Sequence, residues 1–577
     1  MKKQSECIKR INRAVTVLAL TACIFVSGCG STTDYESWLP EDRSNVENLL
    51  NGNYRIYDES LTDSSFAEKT YTGEEMAAAL LEGRSDDLAY YLWQNQIASG
   101  LYAVTRDDIK TNSLVYYVSS SEGDDSNLGL TPDKPKKTLS SFEGQSNITV
   151  LLKCGDTFDM DGSYTIGSNC IFATYGQGSR PVLNYYIKLD LTYVQMEEYP
   201  NVWMADLTGA TEIYTGEANK DNCNLGQMVV DGVVNWKRIV VSSAQGNGYD
   251  FAADVYSRAD GCWTVDWINS ILYVYSETDP ADHDICFAPD HHGIKLSGVN
   301  NVTIKGLEIR GVGAHGINIT DCTDIEISYC YLSNIGGSVH RSAGIRYGNG
   351  IQVWDSASNI LITGNYADWI YDSCYTNQGS DDTCTGENIE FINNIGAHSF
   401  TGIETWGDTY SENDFVNLRY EGNILYYMCD ITAPEVSLYA ASSGKLIEDE
   451  EREYISYRGG YTYNQMTSIN ISFSKVSENL HVENNTVWNT MRLMLIISGT
   501  ESGEPSLVNN YFYSEYNSEG ACFFRYTDAS GSINYVNSVP EQNNYVKTYF
   551  TGEEYDNSDE LSMLTAAMEN IIKGAEE

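Results

Sequence analysis

Glu404 stands in the middle of Gly402-Ile403-Glu404-Thr405-Trp406, where alternating apolar residues predict a β-strand. A carboxylate in mid-strand has no turn to cap, so it is a candidate for acid, base or nucleophilic work. Two earlier segments share its build, His315-Gly316-Ile317-Asn318-Ile319 and Asn349-Gly350-Ile351-Gln352-Val353-Trp354-Asp355. If Ile317, Ile351 and Ile403 point to one side, then Asn318, Gln352 and Glu404 point to the other. Trp354 and Trp406 take the next position on that outer side. Between them runs Tyr371-Asp372-Ser373-Cys374-Tyr375-Thr376-Asn377-Gln378, where an extra residue or a bulge leaves the register open and Asp372, Thr376 and Gln378 still fall near the same stripe.

Stacked strands lie ~4.8 Å apart, so carboxylates on neighbouring strands would be about 5–9 Å apart, which spans both glycosidase geometries. Asp372 with Glu404 is the expected catalytic pair. Asp368, four residues before Asp372, also points outward in this alignment and is a third candidate. Trp354 and Trp406 offer flat faces to sugar rings, and Gln352, Asn377 and Gln378 offer amides to hydroxyls. Asp355 ends one strand and His398 precedes another, and both are candidate substrate contacts. Any single carboxylate has a bland explanation, because 81 of 577 residues are Asp or Glu, and an exposed Asp usually caps a turn. The weight falls on the cluster of carboxylates, amides and tryptophans.

The elements that must hold this cluster repeat. NVTIKGLEI from Asn301, DIEISYCYL from Asp324, NILITGNYA from Asn359 and NIEFINNIG from Asn388 follow one pattern, as do NLRYEGNIL from Asn417, NLHVENNTV from Asn479 and PSLVNNYFY from Pro505. Aligned, they stack Leu307, Cys330, Asn365, Asn394, Asn423, Asn485 and Asn510. A step of two to three dozen residues fits one coil of a parallel β-solenoid with loops inserted at its turns. Asparagines stacked at one inward turn can satisfy one another along the row. Residues 430–477 form a long excursion between two coils. Thr72 and Glu75 make a capping box before a helical pattern over 72–100, and residues 558–572 read as a second amphipathic helix.

This repeat resembles the right-handed parallel β-helix proteins of the pectate-lyase type. The opening Tyr116-Tyr117-Val118, Gly123-Asp124-Asp125-Ser126-Asn127, Thr131-Pro132, Lys134-Pro135 and Lys137-Thr138-Leu139 resembles that of many secreted β-helix enzymes. Leu152-Lys153-Cys154-Gly155-Asp156-Thr157-Phe158 and Ala173-Thr174-Tyr175-Gly176 resemble their next coils. The resemblance implies an all-β fold: a right-handed parallel β-helix over 114–546 with a β-rich insert at 184–290 and short helical segments at both ends. The insert is either a packing module or a wall of the groove. The helical segments are 63–113 and 547–577. This fold hosts glycosidases, lyases, epimerases and non-catalytic proteins, so the resemblance alone assigns no reaction.

Residues 1–28 have a basic start and an apolar stretch from Ala14 to Val26 too short to span a bilayer, which reads as a signal peptide. Val26-Ser27-Gly28-Cys29 resembles a bacterial lipobox, which implies lipidation of Cys29 and a tether over 29–62. The expected location is the bacterial cell surface, outside the cytoplasm and lipid-anchored to the membrane. The formal charge is −46, and residues 1–28 hold five basic and one acidic residue, so their removal takes it to −50. Such a balance argues against nucleic acid as a partner.

The eleven cysteines outside the export region show no CxxC pair, and no zinc site is expected. Cys322 and Cys330 read as buried small residues, while Cys374 and Cys384 could pair.

Three functions remain. The first is a monomeric glycoside hydrolase that needs no cofactor and acts on an uncharged or weakly charged glycan. The second is a polysaccharide lyase, which would call for basic residues and Ca²⁺. Arg310, Arg341 and Arg346 are the basic residues expected on the candidate face, and Asp381-Asp382 with Glu387 could hold the ion. The third is a non-catalytic glycan-binding or adhesive surface protein, which the same aromatic stripe would serve.

Overall fold

The computed structural model describes residues from Phe66 to Lys573, apart from 105–107, 109–113, 211–223, 237–238, 241–249, 259–260, 267–268, 339–346, 380–384, 408–413, 429–436, 439–466, 473–474, 491–492, 498–505, 515–523, 528–532, 537–544 and 549–557. The signal peptide, Cys29, the tether, Arg341, Arg346, Asp381, Asp382 and Cys384 lie outside the described residues.

The chain is a right-handed parallel β-helix. Three ten-stranded sheets run its length. Each coil contributes a strand to all three in turn, as Thr385–Ile392, Ile395–Ala397 and Thr401–Gly407 do. These are sheets 1, 2 and 3. A right-handed crossover is the favoured hand for parallel strands.

Alternation builds the core. Ile304, Ile327, Ile362, Phe391, Tyr420 and Val482 stack in register along sheet 1 and are buried. Each such side chain removed from water contributes about 1.5–3 kcal/mol.

The asparagine row forms as the repeat predicts. The backbone N–H of Asn365 donates to Asn394 Oδ1 at 3.0 Å, that of Asn394 to Asn423 at 2.9 Å, and that of Asn423 to Asn485 at 3.0 Å. The amide nitrogens donate as well, Asn394 Nδ2 to Ile362 O at 2.8 Å. A second, outer row on sheet 1 comprises Asn359, Asn388, Asn417 and Asn479, each donating to the residue one coil below. All four have φ near +55°, a conformation asparagine tolerates better than most residues.

The helical pattern over 72–100 forms two helices, α1 (Gly73–Leu81) and α2 (Ser85–Ser99), because Gly83 turns the chain at φ 66°. The capping box of Thr72 and Glu75 is present. The insert carries a short helix, α3 (Phe251–Arg258), and α4 (Ser558–Lys573) ends the described chain. Helices α1, α2 and α4 pack Met76, Leu80, Leu88, Leu92, Leu564 and Met568 onto the outer face of sheet 2. Arg180 pins α2: its guanidinium donates to Ala89 O and Gln96 Oε1, both at 2.9 Å, and lies 4.7 Å from the Trp93 ring.

The insert is a four-stranded antiparallel sheet beside a three-stranded one. It seats closely on the solenoid: a Cβ at Gly226 would fall 2.5 Å from Gly336 O. Gln227 Nε2 donates to Asn334 O at 2.8 Å and Gly336 O at 3.0 Å. The insert's core takes in Tyr371, the residue before Asp372. Ile239–Val240 of the insert also pairs in parallel with Ser437–Leu438 of the long excursion.

Candidate active site

Sheet 3 carries the predicted stripe. Lys295, Asn318, Gln352, Thr376, Glu404 and Asn470 occupy one row on consecutive coils. Two residues on, Thr320, Trp354, Gln378 and Trp406 form the next outward row. Ile317, Ile351, Tyr375 and Ile403 fill the core beneath. Trp354 and Trp406 are half-buried and stand two coils apart, about 9.6 Å at the usual strand spacing.

Glu404 is held by the neighbouring coil. Its Oε2 accepts from Gln378 Nε2 at 2.6 Å and from Ser373 Oγ at 3.0 Å. Two donors on one oxygen leave it no need of a proton and favour the charged carboxylate. Beside it, Asn349 Nδ2 donates to Gln352 Oε1 at 2.6 Å, and Gln352 Nε2 donates to Asn318 Oδ1 at 3.1 Å.

Asp372 does not share the row of Glu404. Ser373 pairs with Thr401 and Thr376 with Glu404. Asp372 therefore sits at the bend that opens the neighbouring coil, four steps short of that row. The register is unbroken here, Tyr375 pairing with Ile403 as Thr376 does with Glu404, so the expected extra residue is absent and Cys374 fills the slot held by Gly350 and Gly402. The backbone of Asp372 is fixed, its N–H donating to Gly348 O at 3.2 Å and its carbonyl accepting from Thr401 at 3.0 Å. Asp372 itself is half-buried beside the insert.

The structure divides the rest of the predicted cluster. Asp368 points outward, as its alternation requires, but from sheet 2, in line with Ser333 and Ala397. That face lies under the helices, and Asp368 is 0 % exposed. Its Oδ1 lies 2.9 Å from Nδ1 of His398, which is itself buried. His398 stacks between Trp369 (4.8 Å, 12°) and Tyr427 (5.7 Å, 23°). Burial, then the Asp368 carboxylate, pushes the Tyr366 hydroxyl well above its ordinary value. Asp368 and His398 thus belong to the seam between solenoid and helices, not to the face of sheet 3 that carries Glu404.

Asn377 faces inward between Val353 and Thr405 and is fully buried, so it cannot offer its amide to a ligand in the groove. Asp355 ends its strand at φ 59°, beyond the row of Trp354. Arg310 belongs to sheet 2, where it pairs with Glu308, so it is not a groove residue. Cys374 is a free, buried thiol inside the coil, and Cys384 lies outside the described residues. Cys322 and Cys330 are buried, as small core residues should be. Among the described residues no group of three or more His, Cys, Asp or Glu could hold a metal ion.

Ser373 and Lys295 escaped the sequence reading. The alternation that placed Glu404 also places Lys295 in its row, four coils earlier, once Ile294 and Leu296 are recognised as core residues. Ser373 takes the position of His315 and Asn349, three residues before the outward row, once Cys374 is read in the slot of Gly316, Gly350 and Gly402.

No family model matches the chain, and no curated protein does. Among solved structures, a glycoside hydrolase aligns over 76% of this chain and 96% of its own, at 11% identity and a TM-score of 0.36. A rhamnogalacturonan lyase aligns over 76% and 88%, at 11% identity and a TM-score of 0.35. A GH136 lacto-N-biosidase from Eubacterium ramulus aligns over 86% and 81%, at 11% identity and a TM-score of 0.32. At such TM-scores these likenesses carry no argument about the reaction, and the fold described above rests on the chain's own strand pairing.

Proposed function

We propose that the protein is a glycoside hydrolase, tethered to the cell surface through Cys29, whose substrate lies in the groove of sheet 3. The observation that carries this reading is Glu404. It is a mid-strand carboxylate with one oxygen fixed by two neutral donors, and it shares its strand with a half-buried tryptophan. Glu404 then serves as general base or nucleophile, and Asp372 as its partner acid. Four residue steps of strand and one coil put their Cα atoms about 14 Å apart, a span nearer the inverting than the retaining arrangement. Trp354 and Trp406 would contact sugar faces, and Gln378 and Gln352 would orient hydroxyls.

The test is a glycan panel followed by product analysis. Glu404→Gln and Asp372→Asn should abolish release of reducing sugar while glycan binding survives. Products bearing a conjugated, UV-absorbing double bond would make the protein a lyase, with Lys295 the basic residue in the row of Glu404. Binding without turnover across the panel would make it a glycan-binding surface protein.

A further inference from the structure

A second side-chain ladder runs along the opening edge of sheet 3 and ends on Glu404. The backbone N–H of His315 donates to His292 Nδ1 at 3.2 Å. One coil on, the N–H of Asn349 donates to His315 Nδ1 at 2.9 Å. On the next coil, the N–H of Ser373 donates to Asn349 Oδ1 at 2.9 Å. The hydroxyl of that same Ser373 donates to Glu404 Oε2 at 3.0 Å.

The two imidazoles stack at 4.9 Å and 11°, close to the spacing of the coils, and both are buried. An Nδ1 that accepts a backbone N–H cannot carry a proton, so both rings are neutral with the hydrogen on Nε2. Burial, with Lys295 and His291 nearby, holds His292 down at about 3, in keeping with a neutral ring.

Four coils thus hand one hydrogen-bonding position from histidine to histidine to asparagine to serine. The last member turns its side chain onto a carboxylate. Asn349 is tied on both sides, because its own amide nitrogen bonds Gln352 at 2.6 Å. Its carbonyl therefore points at Ser373 without an alternative rotamer. Ser373 pairs in register with Thr401, three residues before Glu404, and its hydroxyl spans that step to the carboxylate.

We propose that Ser373, set by the ladder through Asn349, is the positioning residue that fixes the orientation and charge of Glu404. This rests on the reading of Glu404 as a reacting group. It adds that the carboxylate works in its ionised form, as base or nucleophile, and that Asp372 is left as the acid. The charged and titratable groups near this edge include His291 and Lys295 beside His292, Tyr347, whose ring lies 4.6 Å from that of His315, and Asp372, next to Ser373 in the chain.

The experiment needs no substrate. The infrared difference spectrum between acid and neutral pH is taken for the whole protein, and that of Glu404→Gln is subtracted to isolate the Glu404 carboxyl. Ser373→Ala should move its titration upward by roughly half a unit or more, because a donor to the charged form is lost. Ser373→Thr, which keeps the hydroxyl, should restore it. Gln378→Leu, at a half-exposed position where folding is not at stake, should shift it in the same direction. With an active glycan in hand, the acid limb of the rate profile should move by the same amount.

An unchanged titration in folded Ser373→Ala and Gln378→Leu would overturn the proposal. A shifted titration in a protein that cleaves no glycan would uphold the positioning and sink the hydrolase reading instead.

Discussion

The Oδ1 atom of Asp368 lies 2.9 Å from Nδ1 of His398, and this contact takes both residues out of the groove of Glu404. The pair is sealed under α1, α2 and α4, where a donor left alone cannot turn to water. Asp368→Ala should therefore cost about 1–3 kcal/mol of stability by stranding the imidazole, read as a lower urea midpoint. Turnover per folded molecule should stay at the level of the unmodified protein. A loss of turnover with stability unchanged would return Asp368 to the reacting groups.

Asn377 makes the opposite prediction. Its amide is buried in the core and finds no hydrogen-bond partner among the described residues, with Val353 and Thr405 as its cross-strand neighbours. Such a group costs about 1–3 kcal/mol relative to an apolar one of similar shape. Asn377→Val should raise the melting temperature and leave glycan binding intact. A drop in stability would mean that the amide has a partner, such as a buried water.

The two asparagine rows should respond unequally. Asn394 accepts from both the backbone and the amide nitrogen of Asn365 at 3.0 Å. Asn394→Ala strands two donors of Asn365 and removes the donor to Ile362 O and Asn423 Oδ1, and should cost roughly 2–5 kcal/mol. In the outer row, Asn388 donates to Asn359 at 2.9 Å at the exposed surface, where water replaces the lost bond. Asn388→Gly, which keeps the φ of 55° without strain, should cost less than about 1 kcal/mol. Equal losses in denaturant titrations would contradict the inner row's structural role.

His292 sets a pH dependence. Its imidazole is held down at about 3 by burial, against an ordinary 6.5. Between those values the unfolded chain binds a proton that the folded chain does not. The stability from this residue is therefore complete above pH 6.5 and drains away as pH falls towards 3. At pH 5 the loss is about 2 kcal/mol. Urea midpoints measured near pH 7.5 and near pH 5 should differ accordingly, and His292→Asn should flatten the difference. A slope unchanged in that variant would assign the effect to other groups.

The solenoid was legible because its physics is local and periodic. One inward asparagine per coil, framed by alternating apolar residues, marks Asn365, Asn394, Asn423, Asn485 and Asn510 at any loop length between them. The row of Asn318, Gln352 and Glu404, and the tryptophans beside it, follow from the same alternation.

Alternation, however, says only that a side chain leaves the core, not what covers it afterwards. Asp368 and Glu404 both point outward. Helices docked by Arg180 and by Gln96, whose amide reaches Gly364 O at 3.2 Å, bury the first, while the second stays in the groove. Ser373 meets Glu404 because the two coils pair without a shift, Ser373 opposite Thr401 and Thr376 opposite Glu404, which leaves Asp372 four residues short of the row. Which side chain bridges two coils is set by their stacking, so it becomes visible only when the neighbouring coils are brought together.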